Sequence, residues 1–565
     1  MNLFAFSILS LAPVLQEPAA PPPATEVRTL PADTFFVAEV SMQAWFERRL
    51  ASRAHAVIRD HDLLSRTIEG LEQAGRVPAE SLDQKGRLRE ALRFTDLVFA
   101  LSSSGMEAGG PIILVLPRNS IAREYPWREL LEQQIGTTIA AGSGWVAMPG
   151  KEDTVRAYLQ GWQAAESGLG RLDSDSAWTA LRQRLDREGD LLRMQFRGEH
   201  FDVEDLKRLL KPFPQIFDVG EELGQFEDTL ERVGPWLHAG LKELGLLSGV
   251  AWTMSIDDDG DIVDRVWIAD RAEGPAWPYF TTLGSPQAAL DHLGSIQVPG
   301  SSQVAWEGVD FPFLAGAFEA FLRAELGLLE ELRGADALVR KETQLAMASV
   351  KLSVASLAPR VESWKLIAVP DEEQVGEARI PVLAPDVLDL ALNSLPEEYS
   401  GIWDPLLLFM LSLEMKGDRT SDALRVRSIR LGEGERRPLQ EYVPSFAQAR
   451  AEMEEFLAGR EPLLLRFVPA AEDRFRLEND GGWLFLLEML GRRELSPRAF
   501  DSDALAALQP MWTAAVRVDG GVLWEAHSNF GWLDPLLLPR SAPDAPVAKR
   551  FFGPEGVGEL DESEF

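Results

Sequence analysis

An apolar run from Leu3 to Leu15 gives way to a Pro/Ala-rich tract ending at Ala24, a composition that no packed helix uses. A 7 to 15 residue apolar core followed by small residues is the pattern of a secretory signal. Its flanks are less regular, since the first basic side chain is Arg28 and the small-x-small site Ser10-Leu11-Ala12 is followed by Pro13. Residues 1–24 are therefore read as a signal peptide and spacer, with cleavage expected between Ala12 and Ala24. A run this short does not span the ~30 Å hydrocarbon core comfortably. Later apolar runs, Pro405 to Leu413 and Gly481 to Leu487, are shorter still and read as core elements, so no membrane span is expected beyond the N-terminal signal.

Beyond the linker the first strand pattern is Thr34 to Val40 (TFFVAEV), followed by a helical stretch from about Met42 to Ala74. A rhythm of amphipathic helix, short polar break and strand then recurs. It runs Leu82 to Arg93, Thr95-Asp96, Leu97 to Leu101; then Ala177 to Leu185, Gly189-Asp190, Leu191 to Phe196. A third instance is Ser445 to Ala458, Arg460-Glu461, Leu463 to Val468. Gly-turn hairpins complete the pattern: Val250 to Ile256 with Ile262 to Ile268, and Trp512 to Val518 with Val522 to His527. Hairpins make a sheet antiparallel, and helices between them make the class α+β.

The opening LPADTFFVAEVSMQAWFERRL (30–50) has an echo in VPGSSQVAWEGVDFPFLAGAFEAFL (298–322), with proline, strand and aromatic-bearing helix in the same order. Two related halves are expected, each a largely antiparallel sheet flanked by helices, over residues 25–290 and 291–550. Residues 551–565, acidic and punctuated by glycine, are read as a flexible tail.

Charge narrows the partners. With 56 basic and 89 acidic residues the net charge is −33, and the summed field repels nucleic acid and anionic membrane surfaces. The absence of cysteine excludes thiol nucleophiles, iron–sulfur clusters, Cys-ligated zinc and a lipoprotein anchor. No Gly-x-Ser-x-Gly, Ser-x-x-Lys, His-Glu-x-x-His, P-loop or dinucleotide-binding glycine motif occurs in the chain. Neither a cofactor nor a metal is expected.

Certain residues do pose chemical questions. Asp257, Asp258, Asp259, Asp261 and Asp264 have the oxygen density that Ca²⁺ favours, but EF-hand spacing puts Ser255 at position 1 and Val266 at position 12. Asp259-Gly260 is also what a tight hairpin demands, so a solvated turn is expected. Glu199, His200, Asp202, Glu204 and Asp205 crowd together, yet Asp202 stands where an N-cap precedes a helix from Val203 to Leu210. Glu525 and His527 share a strand face, expected to be an exposed one, and could form an acid/base pair. His55 and His61, six apart on a helix, point about 120° away from each other.

Arg425, Arg427, Arg436 and Arg437 form the one concentrated basic patch, able to grip an anionic ligand or to pair with the chain's own carboxylates. Among 16 tryptophans, Trp277 stands apart in the Pro-flanked aromatic loop Gly274 to Phe280. Arg425, Arg427 and Trp277 are the candidate binding residues, with no catalytic residue assigned.

LPADTFFVAEVS, the helix-to-Asp-to-strand unit at 177–196 and the hairpin GVAWTMSIDDDGDIVDRVWIAD resemble a family of large exported bacterial proteins of planctomycete type, carried as a domain of unknown function. The likeness covers mainly residues 30–320 and implies an exported α+β protein; it carries over no functional residue. The expected function is that of a non-catalytic interaction or scaffold protein of the envelope, periplasmic or otherwise exported, with an envelope protein as partner. The alternative is an exported hydrolase working through carboxylate acid and base groups.

Overall fold

The computed structural model describes residues 33–49, 91–141, 144–165, 190–210, 249–270, 275–296, 301–316, 351–366, 372–393, 414–419, 423–431, 442–470 and 506–529, with isolated positions between. The N-terminal apolar run, the acidic tail, most of the expected helices 42–74 and 177–185, and Arg436 and Arg437 lie outside the described residues. The chain divides into two compact units, the first comprising residues 1–55, 77–277 and 519–523 and the second the remainder.

The strands of the first unit are β1 (Thr34–Ser41), β2 (Thr95–Ser102), β3 (Ile112–Pro117), β4 (Thr137–Ala141), β5 (Gly144–Met148), β6 (Leu192–Phe196), β7 (Val250–Ile256) and β8 (Ile262–Ala269). They lie in the order β8-β7-β6-β1-β2-β3-β5-β4. Every pairing among them is antiparallel. Side chains alternate between faces with period 2, and this alternation builds two cores. On one face Val37, Val98, Leu114 and Val146 pack with Val155 and Leu159 of α5 (Glu152–Ala165). On the other, Val115 and Ala147 pack with Met42 of α1 (Met42–Arg49) and with Trp127 and Leu131 of α4 (Trp127–Gln134). Short helices α2 (Ser103–Ala108) and α3 (Ser120–Glu124) start at side-chain caps, Ser102 and Asn119. Helix α6 (Val203–Leu210) follows a single 3₁₀ turn after β6.

Thr95 and Asp96 were expected to break the chain before a strand; instead they open β2 and are buried. The Asp96 carboxylate pairs with Arg118, which lets an acidic residue sit inside the strand. Thr95 Oγ1 donates to the Ala91 carbonyl at 2.7 Å, closing the preceding helical turn.

In the second unit the strands are β9 (Ser301–Gly308), β10 (Arg360–Leu366), β11 (Glu372–Pro381), β12 (Glu414–Arg419), β13 (Ala423–Leu431), β14 (Pro462–Val468), β15 (Met511–Val518) and β16, whose residues Trp524–Ser528 fall in this unit. Their order is β16-β15-β14-β9-β10-β11-β13-β12. Adding eight to each strand label of the first unit reproduces this order strand for strand. Two helix placements also agree: α5 joins β5 to β6 as α9 (Tyr442–Leu457) joins β13 to β14. Likewise α8 (Pro385–Asn393) stands between β11 and β12, as α3 and α4 stand between β3 and β4.

Helix α9 ends at Ala458 and Gly459, both with positive φ, and the chain turns directly into β14. Phe446 of α9 meets Phe467 of β14 edge-on at 5.2 Å. Helix α7 (Pro286–Ser295) packs beside α9, and a Cβ at Gly294 would stand 2.8 Å from the Phe446 ring. The class is therefore α+β with antiparallel strands, as the hairpin pattern implies.

Candidate functional sites

The aspartate cluster divides between a turn and a core. Asp257 Oδ1 accepts from the amides of Asp259 (3.0 Å) and Asp261 (2.8 Å), and Gly260 takes the positive φ of 87° that the turn requires. Asp261 pairs with Arg53. Asp264 is fully buried and accepts from the Trp252 indole at 2.9 Å. These carboxylates shape the β7–β8 hairpin.

The acidic group at 199–205 resolves into two structural sets. Glu199 Oε1 meets Arg197 Nε at 3.2 Å, and His200 Nε2 contacts the same buried guanidinium. Asp202 Oδ1 accepts from the Asp205 amide at 2.8 Å, and Asp205 Oδ2 lies 3.4 Å from the Asp202 amide, a reciprocal cap on α6. The fully buried Asp205 carboxylate also accepts from Ser103 Oγ at 2.7 Å, tying α2 to α6. Burial raises its pKa above the ordinary aspartate value, against the hydrogen bond from Ser103. Among the described residues no group of three or more His, Asp or Glu side chains is placed to hold a metal ion.

Glu525 and His527 do form a pair, Oε1 to Nε2 at 3.0 Å. The expected exposed strand face is corrected: the two side chains are only 11% and 16% exposed. The reason lies on β15, where the buried Trp512 ring stacks on the imidazole at 4.4 Å and 14°. Trp512 Nε1 in turn donates to Glu452 of α9 at 2.8 Å. A carboxylate-held imidazole can take up or deliver one proton, the elementary act of general acid–base chemistry.

A second pair, invisible to local sequence reading, joins α7 to β10. His292 Nε2 meets Glu362 Oε1 at 2.9 Å, Arg379 of β11 approaches Glu362 Oε2 at 3.6 Å, and the His292 ring lies 4.2 Å from that of Trp306. Glu362 stands in register with both Arg379 and Trp306 across β11, β10 and β9. Period-2 alternation on Trp306 would place a polar neighbour on the same face, but not the helix residue that reaches it.

Arg425 lies on β13 and approaches Glu377 Oε1 of β11 at 3.8 Å. Arg427 occupies the same strand in register with Glu377 on one side and Lys416 on the other. Trp277 is half-buried with a φ of 43°, a backbone state that non-glycine residues rarely adopt. Asp270 Oδ1 fixes its loop by accepting from the Ala276 amide at 2.7 Å. Two residues on, burial pushes the Tyr279 phenol up to about 12.

One surface feature escaped the sequence reading. Leu383, in the bend before α8, is 66% exposed, and Val387 and Leu390 on α8 are 38% and 63% exposed, while Leu388 of α8 is fully buried. The Leu383 amide donates to the Ser356 carbonyl at 2.7 Å, and Leu352, one turn before Ser356, is 44% exposed.

Among the described residues no helix is long and apolar enough to cross a membrane. No protein-family model, curated protein or solved structure matches the chain.

Proposed function

We propose that the chain is an exported interaction protein of the bacterial envelope whose work is to hold a protein partner. The observation that carries this reading is the exposed apolar set of Leu383, in the bend before α8, and Val387 and Leu390 on α8. Exposed apolar rows rimmed by polar residues are the mark of association sites. Among the described residues Asp202, Asp257 and Glu452 are, by contrast, engaged in a cap, a turn and a helix-to-strand tie. Export rests on the apolar run at Leu3 to Leu15, and the kinship with planctomycete-type exported proteins on the motifs quoted above.

The coincidence of the two strand orders supports descent of both halves from one duplicated unit. Scaffolds gain from such duplication, because two copies of a module on one chain raise the effective concentration of the second binding event.

The rival reading, an exported hydrolase, is favoured by one observation, the Glu525–His527 pair. One experiment addresses both. Full-length tagged protein is retrieved from gently solubilised envelope and soluble fractions, and the retained proteins and the N-terminus of the bait are identified by mass spectrometry. A stoichiometric partner and a bait beginning between Pro13 and Thr25 are expected. A bait recovered alone, with hydrolytic activity lost in His527→Gln, establishes the rival. A soluble bait beginning at Met1 overturns export.

A further inference from the structure

Building on the interaction reading, we infer that β11, β13 and β12 of the second unit hold an acidic segment of a partner protein on a strip of four basic positions. Arg379 of β11 stands directly across from Arg425 of β13, and the same row holds Glu362 of β10 and Asp418 of β12. Partners in register share one face of a sheet, so the row reads acid, base, base, acid. Two residues along, the next row on that face places Glu377 of β11, Arg427 of β13 and Lys416 of β12 side by side. Here too two bases are neighbours. Arg379, Arg425, Arg427 and Lys416 thus follow a diagonal across three strands, a span of about 10 Å in the hydrogen-bonding direction.

A ladder that only balanced its own charges would alternate acid and base, whereas like charges directly opposite one another cost stability. A carboxylate laid over such a step changes base–base into base–acid–base, and guanidinium forks grip carboxylates bidentately. The Arg379 and Arg425 side chains are 35% and 45% exposed, with Glu362 Oε2 at 3.6 Å from the first and Glu377 Oε1 at 3.8 Å from the second, distances of ion pairing that hold both guanidinium groups on this face. The fold itself does not require charge there. In the first unit the strands at the corresponding places, β3, β5 and β4, carry Leu114, Val115, Val146, Ala147 and Ile139, all packed into apolar cores. One strand order therefore bears a covered apolar layer in one unit and a partly open basic strip in the other.

The net charge of −33 bears on the occupant. At physiological ionic strength exposed charges more than about 8 Å away are largely screened, so binding is decided by the charges at the strip itself. A diagonal of four bases matches several carboxylates along one chain better than a single small anion, and complementary charge selects that chain.

The test uses full-length protein and two labelled synthetic peptides of equal length, one alternating glutamate and serine, the other glutamine and serine. Alternation sets the glutamates on one face of an extended chain. Fluorescence anisotropy should show binding of the glutamate peptide and none of the glutamine peptide. Arg379→Gln/Arg425→Gln should weaken binding at least about tenfold. Arg128→Gln/Arg156→Gln, which removes the same two charges from exposed places on α4 and α5, should bind as the parent does. Circular dichroism checks that each variant retains its fold, and Arg425→Gln alone, at the more exposed of the two side chains, should already weaken binding.

Equal weakening in the two double variants would show that net charge alone governs the peptide and would overturn the inference. So would binding of the glutamine peptide, or failure of the glutamate peptide to bind. Displacement of the bound peptide by inorganic phosphate at an equal concentration would assign the strip to a small anion and overturn it as well. The interaction reading fails separately: if Arg379→Gln/Arg425→Gln still retrieves the stoichiometric envelope partner, that reading stands while the assignment to these strands falls.

Discussion

His292 Nε2 and Glu362 Oε1 meet at 2.9 Å although 70 residues separate them in sequence, joining α7 to the centre of the second unit's strands. Glu362 is buried to 8% exposure and has Arg379 on its other oxygen at 3.6 Å. Replacing it with glutamine keeps the shape but removes the charge that Arg379 and His292 face. Losing a charged acceptor at a buried site costs about 1–3 kcal/mol. Glu362→Gln should therefore lower the unfolding free energy by that amount, seen as a lower urea midpoint at unchanged m with circular dichroism as the readout, while His292→Gln should cost less because its ring is more exposed. Equal stability of Glu362→Gln and parent would show that the pair is incidental.

Asp202→Ala removes the side-chain acceptor for the Asp205 amide, 2.8 Å away, and leaves a helix start without its cap. The expected loss is about 0.5–2 kcal/mol. Asp202→Asn retains an oxygen at the same place and should recover most of it. Thermal unfolding of the three proteins side by side measures both numbers.

Short-range pattern identified the elements whose stability is local. The hairpins around Gly260 and Gly520, the Asp202 cap and the Arg460-Glu461 break before β14 are all set by residues within a few positions of one another. The echo between residues 30–50 and 298–322 fell on β1 and β9, strands that hold the same place in the two orders. Elements dependent on distant partners were beyond that reading. Asp96 looks like a chain break until Arg118 is seen to neutralise it, and Glu525–His527 looks exposed until Trp512 is laid over it. His292 and Glu362 have no local signature, since their meeting is decided by how α7 packs on β9 and β14.

Glu307 gives a pH dependence of definite sign. Burial raises its carboxyl pKa in the folded chain, with Arg466 acting in the opposite direction. A raised folded-state pKa means that the folded protein holds this proton more tightly than the unfolded chain does. The ionised group consequently disfavours the fold above its folded pKa, and the penalty fades as pH falls to the unfolded value, about 4.3. Glu307→Gln has no such titration. It should be more stable than the parent near neutrality, and the two urea midpoints should converge as the pH is lowered toward 4. A constant difference across that range would show that Glu307 acts through packing and not through charge.

The tyrosines provide the same argument at the alkaline end. The chain has five, and burial raises the phenol pKa of Tyr125, Tyr158 and Tyr279, the last to about 12. In the unfolded chain each ionises near 10. Stability from these protonated phenols is complete below about pH 10 and is lost as the pH climbs through the folded values, because the unfolded state releases its protons first. Phenolate absorbance of the native protein should consequently lag behind that of the urea-unfolded chain, with the Tyr279 contribution appearing only near 12 or together with unfolding. Tyr279→Phe should remove that last contribution and move alkaline unfolding to higher pH. If native and unfolded titrations coincide, the loop that carries Tyr279 is open to water and Trp277 beside it is a surface residue.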